Sequence, residues 1–144
     1  MESREENGIV FARLDEGRDI HEQLKELAAR HNVRTAVIPE GVGMLEDPEL
    51  GYFNVETKKY ENKVFAGCWE LVSLQGNFSR LAEDGEPILH LHAGLGGRDH
   101  KLIGGHLHAG KVRVTGEIVL RRLPNVTAER VKDAKYGLNL LQFR

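Results

Sequence analysis

Two periodicities divide this chain, one helical and the rest extended. "IVFARL" (residues 9 to 14) reads as a short strand, and "DEGRD" after it supplies a turn and a helix start. In "DIHEQLKELAARHN" the apolar residues Ile20, Leu24, Leu27 and Ala28 fall at spacings of four, three and one, which makes the stripe of an amphipathic helix packing on a sheet. His21 and His31 lie at its ends, in surface or capping positions. "RTAVIP" (34 to 39) is a strand ended by Pro39 and by the loop "EGVGML", a bend made by Gly41 and Gly43. "ELGYFN", "KKYENKVF", "CWELVSLQGNF", "PILHLHAGLG", "KLIGG" and "KVRVTGEIVLRRL" follow as strands separated by Gly, Asn or Asp turns. One helix and many hairpin-length strands predict an α+β fold, a mostly antiparallel sheet with one main amphipathic helix packed on it. No repeat, low-complexity linker or Pro-rich hinge interrupts it, so residues 5–144 are expected to form a single domain.

Length and composition agree with that reading. A chain of 144 residues buries a core without disulfides or structural zinc. The net charge of −2 forecasts no particular partner, but its distribution is uneven. Residues 1 to 110 hold 12 Lys/Arg against 19 Asp/Glu, and residues 111 to 144 hold 8 against 3, so only the C-terminal quarter is basic. Such a segment could meet phosphates, although solvated Lys and Arg on a strand and tail explain it equally well. The lone Cys68 excludes an internal disulfide, and its apolar setting (Gly67, Trp69, Leu71) predicts a packed thiol in a reducing compartment. "MESREENG" lacks a signal-peptide pattern, and no stretch approaches the ~20 apolar residues of a membrane span, so the expected location is cytoplasmic with no membrane partner.

Chemistry concentrates in "PILHLHAGLGGRDHKLIGGHLHAG", residues 87 to 110, which hold five of the seven histidines. Strand alternation points His90 and His92 to one face, with Leu89, Leu91 and Ala93 on the other. A third imidazole comes from His106 or His108 if "LGGRDHKL" is a hairpin turn, with His100 solvated beside Asp99. Three neutral imidazoles suit a divalent metal, Zn²⁺ first, and leave a position for water or substrate. The competing reading is a set of inward-facing polar residues at an oligomer interface, hydrogen-bonded to each other or to carboxylates.

A water-activating site also needs an acid or base. Glu70 in "CWELVS" and Glu117 in "TGEIVL" are the candidates because each interrupts an apolar strand. No G-x-S-x-G, H-E-x-x-H or reactive-cysteine pattern occurs. No nucleotide cofactor is expected, because the third glycine of G-x-G-x-x-G falls on Glu46 and no P-loop lysine follows. The chain departs from the cupin pattern, since Ala93, Gly94, Leu95, Gly96 and Gly97 follow "HLH" where that pattern expects a glutamate.

Read in order, "GVGML" followed by "LGYFN", then "GCWELVSLQGNFS", "GEPILHLHAGLGG" and "IGGHLHAGKVRVTGEIVL" resemble the PPC domain, the plants-and-prokaryotes-conserved domain, across roughly residues 8 to 142. That domain occurs alone in bacteria and archaea and behind AT-hooks in plant nuclear proteins. The resemblance implies an α+β subunit assembling as a homotrimer. It implies that His90, His92 and His106 belong to the prokaryotic pattern, with His108 less constrained. Gly67, Glu70, Leu71 and Ser73 match the segment that plant members use for protein contacts.

The family name implies DNA-binding or transcription-associated function, yet the Arg-Gly-Arg-Pro hook is missing and the nearest basic pairs are Lys58-Lys59 and Arg121-Arg122. Three readings follow: a trimeric interaction module with regulatory protein partners and a histidine metal site; a metal-dependent enzyme of the zinc type; or direct nucleic-acid binding through Arg121, Arg122, Arg130, Lys132 and Lys135. The first is the expected function.

Overall fold

The computed structural model describes residues 1–144. Strand β1 (Glu2–Glu6) is a charged edge that the apolar pattern does not announce, and it pairs with β2 (Ile9–Leu14), where Val10, Ala12 and Leu14 point into the core. A charged edge strand leaves few apolar edge groups open to another chain. Helix α1 (Ile20–Arg30) starts at Asp19, whose Oδ1 accepts the backbone N–H groups of His21 and Glu22 at 2.8 and 3.2 Å. Its predicted stripe, Ile20, Leu24, Leu27 and Ala28, is fully buried. Gln23 joins the buried face and clamps the backbone of Asp15 through both ends of its amide, at 2.7 and 2.9 Å.

The loop expected over "EGVGML" does not form. Strand β3 runs unbroken from Ala36 to Asn54, absorbing "ELGYFN". Pro39, which has no N–H to donate, sits in a register shift between Val37 and Glu40, so the ladder does not require its missing donor. "KLIGG" and "KVRVTGEIVLRRL" likewise fuse into β7 (Leu102–Arg122), with His106 and His108 inside the strand. Strands β4 (Lys59–Val64), β5 (Cys68–Leu81) and β6 (Pro87–Gly96) lie where the alternation put them. Strands β8 (Ala128–Lys132) and β9 (Asn139–Phe143) pair with each other within the C-terminal basic segment, and β8 joins β5 in a short parallel contact.

The sheet has nine strands and is otherwise antiparallel. Strand β3 pairs with both β5 and β7, and β6 pairs with the same two, so β3, β5, β6 and β7 close a circuit. Leu71, Leu74, Leu91, Leu95, Leu107 and Ile118 belong to the one core cluster, together with α1. Cys68 is exposed, against the packed thiol that its neighbours implied: alternation turns Trp69 and Leu71 inward, and Cys68 and Glu70 out. No helix is long and apolar enough to cross a membrane.

Closure requires β5 to press against β6 at Gly76, where a methyl group would overlap the carbonyl oxygen of His90. Gly76→Ala is expected to cost about 1–3 kcal/mol through overpacking. A thermal melt reads this as a lower Tm, and an unchanged Tm would show that the two backbones have room to part.

Candidate metal centre

Strand alternation and hairpin register together assemble the histidines. On β6, His90 and His92 point away from the core, opposite to Leu91 and Ala93. The five residues 97–101 turn the chain, with His100 exposed at φ 62° and Lys101 paired to Asp99 at 2.9 Å. The hairpin then sets His106 of β7 directly across from His92.

One ligand nitrogen from each of His90, His92 and His106 lies within 4.8 Å of the others. The Nε2 atoms of His90 and His92 are 3.3 Å apart. Nitrogens bound 2.0–2.1 Å from a tetrahedral zinc stand roughly 3.3 Å apart. Two ligands therefore already have that spacing, and the third lies within 4.8 Å of them. His106 Nδ1 is buried without a hydrogen-bond partner, which leaves it free for an ion. The donor set thus fits a divalent metal.

His108 lies on the same face as His106, with ring centroids 4.5 Å apart, but outside the converging trio. It is seated against Gly51, where any Cβ would strike its Nε2 atom. Tyr60, on β4, packs against both rings at 5.2 and 4.9 Å. His31 takes the capping role expected of it at the end of α1, its ring held at 3.0 Å by both Ser3 and Glu5. His21 is more enclosed than a surface residue, and burial lowers its pKa.

Other sequence candidates fall elsewhere. Glu70 is exposed and stands across from Gly96, four residues or about 13 Å along β6 from His92. Glu117 is exposed, eleven residues along β7 from His106, and accepts from Thr115 at 3.4 Å. Neither reaches the imidazoles of its own chain. In the expected contact segment Gly67, Glu70 and Ser73 are exposed, but Leu71 is a core residue at 2% exposure and cannot meet a partner.

The nucleic-acid candidates also divide. Arg121, Lys132 and Lys135 are exposed, while Arg122 is tied to Glu5 at 2.6 Å. Arg130 is a correction: alternation on β8 turns it inward to 8% exposure. There it donates to Ser79 Oγ, Asn77 Oδ1, the Asn139 carbonyl and His90 Nδ1. Asn77, directly across from His90, and Arg130 are site residues that the sequence reading missed. The signal available was an arginine at an inward position of "AERVK".

Burial, followed by the surrounding imidazoles, pushes His106 down to about 4. Burial and then Arg130 lower His90. These rings are therefore neutral at pH 7, the form that ligates metal. Below the ordinary value of 6.5 the unfolded chain gains a proton at His106 that the folded chain refuses until about pH 4. Stability is thus full above about pH 6.5 and falls as the pH drops toward 4. Thermal melts of metal-free protein across that window should show Tm declining, and His106→Gln should make the decline shallower; an identical decline in the variant would contradict the burial of this ring.

The fold recurs in solved structures. A plant- and prokaryote-conserved protein from Pyrococcus horikoshii is 38% identical, with TM-score 0.85 over 93% of this chain and 90% of that one. A metal-containing protein from Archaeoglobus fulgidus is 31% identical, with TM-score 0.85 over 93% and 92%. A candidate DNA-binding protein from Bacteroides thetaiotaomicron shares the fold at TM-score 0.90 and 24% identity, over 99% and 96%. No curated protein matches the chain. The family model for the Plants and Prokaryotes Conserved (PCC) domain covers residues 1–124, so the chain belongs to that family, the one its motifs resemble.

Proposed function

We propose that this protein is a stand-alone member of the family that assembles as a homotrimer and holds a divalent metal, zinc first, on His90, His92 and His106. Its role is that of an interaction module in transcription-associated complexes. The observation that carries the proposal is the convergence of three imidazoles, two of them with lowered pKa values, from facing strands. Metal held by a relative at 31% identity supports it. The exposed free thiol of Cys68 fits a reducing, cytoplasmic setting.

Direct DNA contact is the weaker part of the family's reputation here. Of five candidate cations, only Arg121, Lys132 and Lys135 are exposed, against a net charge of −2. Association with DNA therefore runs through partners or through the summed charge of several subunits. A metal-dependent enzyme is the second reading. It is favoured by the trio itself, since three protein ligands would leave a bound metal a position for water or substrate.

Assembly finds support on the outer face of the sheet. Val42, Val72 and Val114 line one shallow depression with Met44. Val114 is 71% exposed and adopts φ 59°, a left-handed conformation foreign to a β-branched residue. Such strain costs on the order of 1–3 kcal/mol and persists where it serves a purpose. Here it presents an apolar side chain to solvent at a register break in β7.

Two measurements test the proposal. Metal analysis of untagged protein should find near-stoichiometric divalent metal in the wild type and none in the His90→Ala, His92→Ala double variant; a wild type that refuses added Zn²⁺ would sink the metal centre. Light scattering should give a trimer mass for the wild type and a monomer mass for Val114→Asp, in which the charge disrupts the apolar contact. A trimer that survives this change would place the interface elsewhere.

A further inference from the structure

Arg130 is the one charged side chain hydrogen-bonded to the three imidazoles, and it forms no ion pair. Its four hydrogen-bond acceptors, Ser79 Oγ, Asn77 Oδ1, the Asn139 carbonyl and His90 Nδ1, are all uncharged. None of the chain's ion pairs includes it, although Arg13, Arg18, Arg113, Arg122 and Arg144 all have carboxylate partners. A guanidinium at 8% exposure without a counter-charge is costly, because neutral acceptors replace only part of its lost hydration. The three imidazoles add no negative charge, and no carboxylate belongs to their group. A divalent ion placed on them would raise the local charge to three positive units with no protein anion to balance it.

We infer that the His90–His92–His106 centre and Arg130 form one seat for a small anionic ligand bearing a carboxylate or phosphate, which a metal on the imidazoles and the guanidinium would hold together. The inference rests on the metal reading above and names the ligand class of the same site. Arginine suits the task because its planar fork matches two oxygens of such a group.

The hydrogen bonds also imply that metal and anion bind in a linked way. Arg130 can only donate, so His90 Nδ1 accepts, and the proton of the neutral ring resides on Nε2. That Nε2–H points to His92 Nε2 at 3.3 Å. For His90 Nε2 to ligate, the proton must leave Nε2 and a proton must occupy Nδ1, a change of tautomer with no net gain or loss. Nδ1–H then no longer accepts from Arg130. The two N–H groups then oppose each other, and because the guanidinium donors are fixed in its plane the Arg130 head must swing as a whole; an anion that draws it off His90 would favour the metal, and a bound metal would favour the anion.

The test uses the full-length protein loaded with Co²⁺, whose visible bands report its ligands. Cobalt uptake is measured first, and the bands are then followed during titration with inorganic phosphate and, separately, with acetate. At least one anion should shift the bands saturably in the wild type. Arg130→Gln, which removes the cation, and Asn77→Asp, which sets a carboxylate of nearly the same shape beside Arg130, should each weaken that anion by about tenfold or more, the usual scale of a charged hydrogen bond. Asn77→Asp keeps the test decisive if Arg130→Gln fails to fold. Failure of the wild type to take up cobalt overturns the metal reading and this inference with it. Uptake followed by bands that neither anion moves, or that move with equal affinity in wild type and folded variant, overturns this inference alone.

Discussion

Backbone hydrogen bonding around the β3–β5–β6–β7 circuit is the constraint on which the remaining structure depends. Each of β3 and β7 must satisfy different neighbours along its length, so both are long and both change register where they pass from one partner to the next. Bulges supply that change, as they do wherever a sheet must bend to close. Once the circuit is closed, the pairing of β6 with β5 and β7 is pinned on both sides. A slip of one residue would carry His90 and His92 into the core and expel Leu91 and Ala93.

The candidate centre takes its geometry from that pairing. Its three imidazoles stand on strands paired on both sides, and His106 faces His92 because the hairpin register puts it there. Elements outside the circuit complete the surroundings: Tyr60 from β4 covers His106 and His108, and Arg130 from β8 reaches past Asn77 to His90. Burial keeps His90 and His106 unprotonated at neutral pH, so the ring nitrogens are available as ligands without competition from protons. The same burial leaves the guanidinium beside them with uncharged hydrogen-bond partners only.

The outward face of the sheet has a different character. Ile9, Phe11, Val42, Val72 and Val114 expose large apolar side chains on strands whose inner residues are fully packed. Scattered apolar residues on a surface need no explanation, but a depression with three valines, one of them held in an unfavourable conformation, is consistent with contact to further copies of the chain.

Local pattern was sufficient for the helix, for β2 and for the shared face of His90 and His92, because helical and strand periodicities depend only on residues a few positions apart. The motifs carried the family for the same reason, being contiguous stretches. The continuity of β3 through Pro39 and the fusion of two expected strands into β7 were hidden, since a bulge is decided by the neighbouring strand and not by the residues within it. The outward turn of Glu70 and Glu117, the inward turn of Leu71 and Arg130, and the choice of His106 over His108 all rest on register and closure. Thus the sequence by itself determined which residues could serve as ligands and which elements would carry them. Only the tertiary structure decided which side chains converge and which charge remains unbalanced, because those depend on pairings between residues as distant in sequence as Ile9 and Arg121, fixed by backbone hydrogen bonds that no local pattern encodes.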